Sequence, residues 1–87
     1  MNFQKICVIG LGYIGLPTAS TFAAHGVDVL GVDINSHIID TLNRGEIHIH
    51  EPGLHEAVKQ ALVSGKFKAA TKPEAADAFI IAVPTPF

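Results

Sequence analysis

Three glycines with the spacing G-L-G-Y-I-G occupy residues 10–15 and directly follow the apolar run K-I-C-V-I at residues 5–9. An unbroken apolar run of this length is typical of a strand that is buried on both faces. Residues 14–25 then show helical spacing, and Gly26 stands where a helix-ending glycine is expected. The chain therefore opens with a buried strand, a glycine turn and a helix. One stripe of this helix carries Ile14, Thr18, Thr21, Phe22 and His25.

The next elements continue this alternation of strand and helix. Residues 27–33 read V-D-V-L-G-V-D, and their β-branched side chains predict a second strand. Asn35 or Ser36 is placed to cap a second helix, which Gly45 ends. Residues 46–53 have no helical period and contain a Pro-Gly pair, which predicts a loop.

The second half of the chain predicts one helix and two strands. An apolar stripe that begins at Leu54 predicts a third helix, which Gly65 stops. Residues 67–70 predict a third strand, and residues 79–83 predict a fourth. Pro84 ends the fourth strand, because proline cannot donate a hydrogen bond to the ladder. The helical stripe consists of Leu54, Val58, Ala61 and Leu62, and residues 73–76 make one helical turn at most.

Strands that alternate with helices favour a parallel sheet with right-handed crossovers. The predicted fold class is α/β, the N-terminal part of a doubly wound parallel (Rossmann) sheet with strand order 3-2-1-4. That fold normally carries two further strands. We therefore expect residues 1–87 to be the first part of a dinucleotide-binding domain, with the remainder and a substrate domain absent.

Each glycine of the turn has a separate predicted role. Gly10 allows a tight turn off the strand, Gly12 lets the backbone approach a pyrophosphate, and Gly15 lets the helix pack closely against the strand. The exposed amides and the dipole at the helix N-terminus favour the charge of a diphosphate. Three glycines alone are weak evidence, because they recur by chance in loops.

An acid at the end of the second strand strengthens the prediction of a dinucleotide site. Asp33 lies 18 residues after Gly15, close to the interval of roughly 20 residues typical of a ribose-binding carboxylate. Its carboxylate would accept hydrogen bonds from both adenosine ribose hydroxyls and repel a 2′-phosphate, which favours NAD over NADP. The plain alternative is a turn followed by an ordinary strand-end aspartate.

For two other residues, Thr85 and Cys7, a chemical role and a structural role are both possible. Thr85 stands between two prolines after the fourth strand, at the edge that faces the ligand crevice in this topology. A cofactor contact and a rigid surface turn explain it equally well. Cys7, the only cysteine, lies mid-strand among apolar neighbours, where core packing is favoured over a role as nucleophile.

Three histidines, His48, His50 and His55, lie close in sequence to Glu51. A closed metal site needs ligands at matched spacing, and the sequence does not establish that spacing here. We expect no metal, and favour solvated loop residues or contacts with a substrate domain.

Composition narrows the class of protein further. The chain is 48% hydrophobic and 16% charged with a net charge of -2, and it has no basic cluster, so nucleic acid is not an expected partner. No apolar run approaches the roughly 18 residues of a membrane span, and the N-terminus lacks the features of a signal peptide. A single cysteine suits a reducing compartment, so we expect a cytoplasmic protein.

Three segments stand in a specific order and spacing: G-L-G-Y-I-G-L-P at residues 10–17, E-P-G-L at 51–54 and V-P-T-P at 83–86. They resemble the UDP-glucose/GDP-mannose dehydrogenase family, and the resemblance spans all 87 residues. Within the family, N-R-G-E-I-H-I-x-E-P at 43–52 and I-A-V-P-T-P-F at 81–87 most resemble members that act on UDP-N-acetyl-D-mannosamine.

The resemblance implies a two-step oxidation at C6 of a nucleotide sugar, from alcohol to carboxylate, with two NAD, in polysaccharide biosynthesis. It implies that Tyr13 and Ile14 contact the cofactor diphosphate through their backbone, that Asp33 binds the ribose, and that Thr85 lies near the reactive end. The catalytic cysteine and most of the sugar site are expected beyond Phe87. This chain alone is therefore not expected to be active, and the full-length protein is expected to form a homodimer.

One position departs from the family pattern. Some relatives carry an arginine over the adenine, five residues after the ribose aspartate, where this chain has Ile38. Adenine must then be held by apolar contact, or another residue must supply the cation.

Two other classes of protein share the glycine turn and the strand-end acid. A non-catalytic NAD-sensing module has no evident need for Pro17, the E-P-G-L segment or the P-T-P turn. A dehydrogenase of the hydroxyisobutyrate type shares the glycines, but usually has other residues at the positions of Tyr13 and Leu16. A nucleophilic cysteine further along the reading frame would favour the nucleotide-sugar enzyme, and an ion-channel segment would exclude it.

Overall fold

The computed structural model describes residues 4–83, which form one parallel sheet with helices packed against it. The strands are β1 (Lys5–Ile9), β2 (Asp28–Val32), β3 (Phe67–Ala70) and β4 (Ala78–Ile81), and the helices are α1 (Gly15–Ala24), α2 (Ser36–Asn43) and α3 (Leu54–Val63). The sheet order is β3-β2-β1-β4, and all three strand pairs are parallel. The predicted fold class and strand order are confirmed.

The ends of the helices lie close to those predicted. Asn35 caps α2, since its side-chain oxygen accepts a hydrogen bond from the backbone N–H of His37 at 3.0 Å. Gly26, Gly45 and Gly65 follow the three helices, each with a positive φ. No helix forms between β3 and β4 within the described residues, consistent with one turn at most. The fourth strand begins one residue earlier and ends two residues earlier than predicted, and Pro84 lies outside the described residues.

The main core lies on the face of the sheet that α1 and α3 cover. Its buried side chains include Val8 of β1, Leu16 of α1, Val58 of α3 and Phe67 of β3. The buried residues of α1 are Gly15, Leu16, Ala19, Ser20 and Ala23. The stripe predicted for α1 is therefore not its buried face. α1 packs against the sheet through Leu16 and four small residues. The larger side chains of Ile14 and His25, which flank the helix, are exposed.

A smaller apolar cluster occupies the other face of the sheet. Cys7, Leu30 and Val32 form it, and Ala76 from the segment between β3 and β4 packs against it. Cys7 is 0% exposed, which confirms that the thiol packs in the core. The edge strand β4 leaves Phe79 and Ile81 exposed on this same face, opposite Cys7 and Ile9 in the register.

Gly31 of β2 lies at a position with no room for a side chain. A Cβ built on Gly31 would lie 2.6 Å from Cε1 of Phe67 and 2.9 Å from Cδ2 of Leu11. Both of those side chains are fully buried. The absence of a side chain at Gly31 therefore lets Leu11, from the turn after β1, pack directly over β2.

Candidate functional site

The carboxyl ends of β1, β2 and β4 meet at one edge of the sheet, where the glycine turn lies. Gly10 donates its backbone N–H to the carbonyl of Val32 at 2.7 Å, which joins the turn to the end of β2. Ala82 donates to the carbonyl of Ile9 at 2.7 Å, which brings the chain after β4 alongside. The edge predicted to hold a ligand is thus built from three strand ends.

Gly10 and Gly15 are required by the local geometry. Gly10 has a φ of 99°, and a Cβ there would lie 2.8 Å from the carbonyl oxygen of Ala82. A Cβ on Gly15 would lie 1.6 Å from the carbonyl oxygen of Gly10, closer than any real contact. Gly10 therefore makes the tight turn and Gly15 allows α1 to start against the end of β1, the two structural roles predicted from the spacing.

The side of the turn around Gly12 is open. A Cβ built on Gly12 would meet no atom of residues 4–83 within 4 Å, and the side chains of Tyr13 and Ile14 are 70% and 72% exposed. Within residues 4–83, no hydrogen bond uses the backbone N–H of Gly12, Tyr13, Ile14 or Gly15. Unpaired amides at a helix N-terminus attract anions, so the turn fits a diphosphate in shape and in charge.

Asp33 lies beside this turn, one residue after β2. Its Oδ2 accepts the backbone N–H of Leu11 at 3.0 Å, and its Oδ1 accepts the backbone N–H of Asn35 at 3.0 Å. An ionised carboxylate offers about four lone-pair directions, so two amides leave acceptor capacity for further donors. The carboxylate is oriented by the protein backbone and half-buried at the rim of the site. Its contact with a ribose stays a prediction.

His48 is a member of the site that sequence reasoning missed. Its Nε2 lies 2.5 Å from the carbonyl oxygen of Leu11, and its Nδ1 is buried without a partner among residues 4–83. His48 is half-buried, whereas His50 and His55 are exposed. Of the two roles expected for these histidines, solvated loop residue or contact with a substrate domain, the first does not describe His48. The one available signal was the apolar residue on each side of His48, which indicates a loop packed on the core.

The described residues form no metal cluster. No group of three or more histidine, cysteine, aspartate or glutamate side chains within residues 4–83 is arranged to hold a metal ion. His48 directs its Nε2 at Leu11, and the Nε2 of His55 lies 3.3 Å from the carbonyl of Gly45. Among the helices of the described part, none is long and apolar enough to cross a membrane.

Thr85 and Ile38 are two further positions that the sequence singled out. Thr85 lies outside the described residues, so its role stays a prediction. Ile38 is half-buried and packs against the main core. The exposed apolar side chain beside Asp33 is instead Ile34, which is 93% exposed.

Comparison with known proteins agrees with this geometry. Residues 4–87 match the family model described as the UDP-glucose/GDP-mannose dehydrogenase family, NAD binding domain. The UDP-N-acetyl-D-mannosamine dehydrogenase of Yersinia pestis is 61% identical to this chain over 87 residues, which cover 100% of the chain and 21% of that protein. The chain thus spans about a fifth of the length of the curated relatives it matches.

Solved structures show the same arrangement of strands and helices. The native structure of the UDP-N-acetyl-mannosamine dehydrogenase from Staphylococcus aureus matches with a TM-score of 0.93 and 65% identity, over 94% of this chain and 20% of that one. A ternary complex of GDP-mannose dehydrogenase from Pseudomonas aeruginosa matches with a TM-score of 0.88 and 36% identity, over 93% of this chain and 20% of that one.

Proposed function

The chain belongs to the UDP-glucose/GDP-mannose dehydrogenase family, and from this premise we propose that the full-length protein is a UDP-N-acetyl-D-mannosamine dehydrogenase. It oxidises the C6 alcohol of the sugar to a carboxylate and reduces two NAD. Residues 1–87 are the first part of its NAD-binding domain. The catalytic residues and most of the sugar site lie elsewhere in the protein.

The observation that carries this proposal is the pairing of an open glycine turn with an oriented carboxylate. Four backbone amides at the start of α1 have no acceptor among the described residues, and Asp33 is tied to the same turn through Leu11. The choice of sugar has a different support: relatives named for UDP-N-acetyl-D-mannosamine are about 60% identical over the whole chain.

The residues of this chain bind and orient the cofactor rather than react. NAD, when bound, accepts a hydride from the substrate. The amides of Gly12, Tyr13 and Ile14 hold its diphosphate, where the dipole of α1 adds to the attraction. Asp33 accepts from the hydroxyls of the adenosine ribose, and its charge repels a 2′-phosphate, so NAD is preferred over NADP.

Several further properties of the full-length protein belong to the same proposal. Thr85 contacts the cofactor near its reactive end. The protein is a cytoplasmic homodimer that binds a UDP-sugar, acts in polysaccharide biosynthesis, and needs neither nucleic acid nor a membrane.

The test is NADH production by the purified full-length protein across a panel of UDP- and GDP-sugars, followed at 340 nm. We expect UDP-N-acetyl-D-mannosamine to be the preferred substrate, with two NADH formed for each sugar consumed. A preference for another sugar would refute the assignment of UDP-N-acetyl-D-mannosamine as the substrate. NAD binding without NADH formation from any sugar would reject the enzyme and favour a sensing module.

A further inference from the structure

The backbone of Leu11 is held from two sides by side chains that are distant in sequence. Asp33, after β2, accepts its N–H. His48, in the loop between α2 and α3, contacts its carbonyl oxygen with Nε2 at 2.5 Å. A carbonyl oxygen only accepts hydrogen bonds, so His48 carries a hydrogen on Nε2 and donates it.

The contact at the carbonyl of Leu11 also fixes the next amide. The carbonyl of Leu11 and the N–H of Gly12 belong to one peptide unit, and the described chain contains no cis peptide. In a trans peptide these two groups point in opposite directions. His48 therefore turns the N–H of Gly12 away from itself and from the loop that carries it.

The amide of Gly12 is also one of those without a protein acceptor in the described part of the chain, and the space beside it is open. We propose that His48 is a positioning residue for cofactor binding: it holds the Leu11–Gly12 peptide so that the amide of Gly12 faces the diphosphate. This inference rests on the proposed function, because it assigns the diphosphate of NAD to the turn.

A half-buried histidine in a loop also has a purely structural explanation, in which His48 only fills space and satisfies a carbonyl. The two explanations differ in one measurable respect. A structural role changes the stability of the protein and leaves the folded population with normal NAD affinity. A positioning role changes NAD affinity at temperatures where the protein is fully folded.

Two amide variants separate the explanations in the full-length protein. His48→Gln keeps an N–H donor at about the reach of Nε2, whereas His48→Asn has the same chemistry and falls short of Leu11. We expect His48→Asn to raise the Kd and KM for NAD about threefold to tenfold, the effect of one lost hydrogen bond. The KM for the UDP-sugar stays unchanged, and His48→Gln restores NAD affinity to within about twofold of the wild type.

His50→Asn is the matched control, because His50 is exposed on the same loop. This substitution should leave NAD affinity unchanged. His48→Leu serves as a second loss variant and should behave as His48→Asn does. Wild-type NAD affinity in folded His48→Asn, or no recovery in His48→Gln, would overturn the proposal. Failure of both loss variants to fold would assign His48 to the fold and overturn it as well. If the wild type binds no NAD at all, the proposed function fails first.

Discussion

Adding one methyl group at Gly12 or at Gly15 should have opposite consequences, although the two positions are three residues apart. At Gly15 the new Cβ would lie 1.6 Å from a backbone carbonyl, against 3.4 Å for an ordinary contact. The difference exceeds the rise of about 1.5 Å per residue in a helix. No side-chain rotation relieves a clash with backbone, so Gly15→Ala must displace the start of α1.

The expected magnitudes follow from these contacts. Gly15→Ala should lower the free energy of unfolding by about 3 kcal/mol or more, the upper end for overpacking a rigid site. The added methyl of Gly12→Ala meets no atom of the described part of the chain within 4 Å, and the backbone at Gly12 does not have a positive φ, so stability should change by less than about 1 kcal/mol. Its methyl group projects into the open side of the turn and should weaken NAD binding by about 1.5–3 kcal/mol, through one lost amide-to-phosphate hydrogen bond.

Urea denaturation and titration calorimetry with NAD, both on the full-length protein, measure the two effects separately. The expected pattern is a stable Gly12→Ala variant that binds NAD poorly and an unstable Gly15→Ala variant. Wild-type NAD affinity in Gly12→Ala would refute the assignment of the open side to the diphosphate. Wild-type stability in Gly15→Ala would refute the close approach of α1 to β1.

Two further substitutions test other contacts. Asp33→Ala should weaken NAD binding by about 1.5–3 kcal/mol, the usual loss for hydrogen bonds to a charged group, and should narrow the preference for NAD over NADP; unchanged affinity in calorimetry would contradict the ribose role. Gly31→Ala should lower the free energy of unfolding by about 1–3 kcal/mol, because the new Cβ would lie 2.6 Å from Phe67. Adding Phe67→Leu to it should recover part of the loss in a urea titration, and full additivity of the two changes would count against that contact.

Local signals explain why most of the architecture could be predicted from the sequence. Apolar runs set the strands, and a glycine after each helix set its end, with errors of one or two residues such as the end of β4. The strand order followed from assigning the chain to the doubly wound dinucleotide fold, which has the order 3-2-1-4 at this end of its sheet. The buried face of α1 was missed because small residues such as Ala19 and Ser20 carry little hydrophobic signal, although Gly15 brings that face closest to the sheet.

The candidate site also has a part that could be predicted from the sequence and a part that could not. The glycine turn and Asp33 have a spacing in sequence that reports their meeting in space. No comparable sequence spacing points to His48. It lies 37 residues from Leu11 and bonds to a backbone carbonyl, a group that every residue type carries. A contact of that kind becomes visible only when the fold brings the loop to the turn.

Leu11 gives the turn a property that goes beyond its shape. Its side chain packs over Gly31, Asp33 accepts its N–H, and its carbonyl contacts His48. The glycine turn is therefore preorganised. The conformational entropy that it loses is lost when the protein folds, not when a ligand binds. An incoming ligand meets a rigid surface and needs little induced fit. Loosening the packing around Leu11 would then raise the Kd of a ligand that the altered residue never touches.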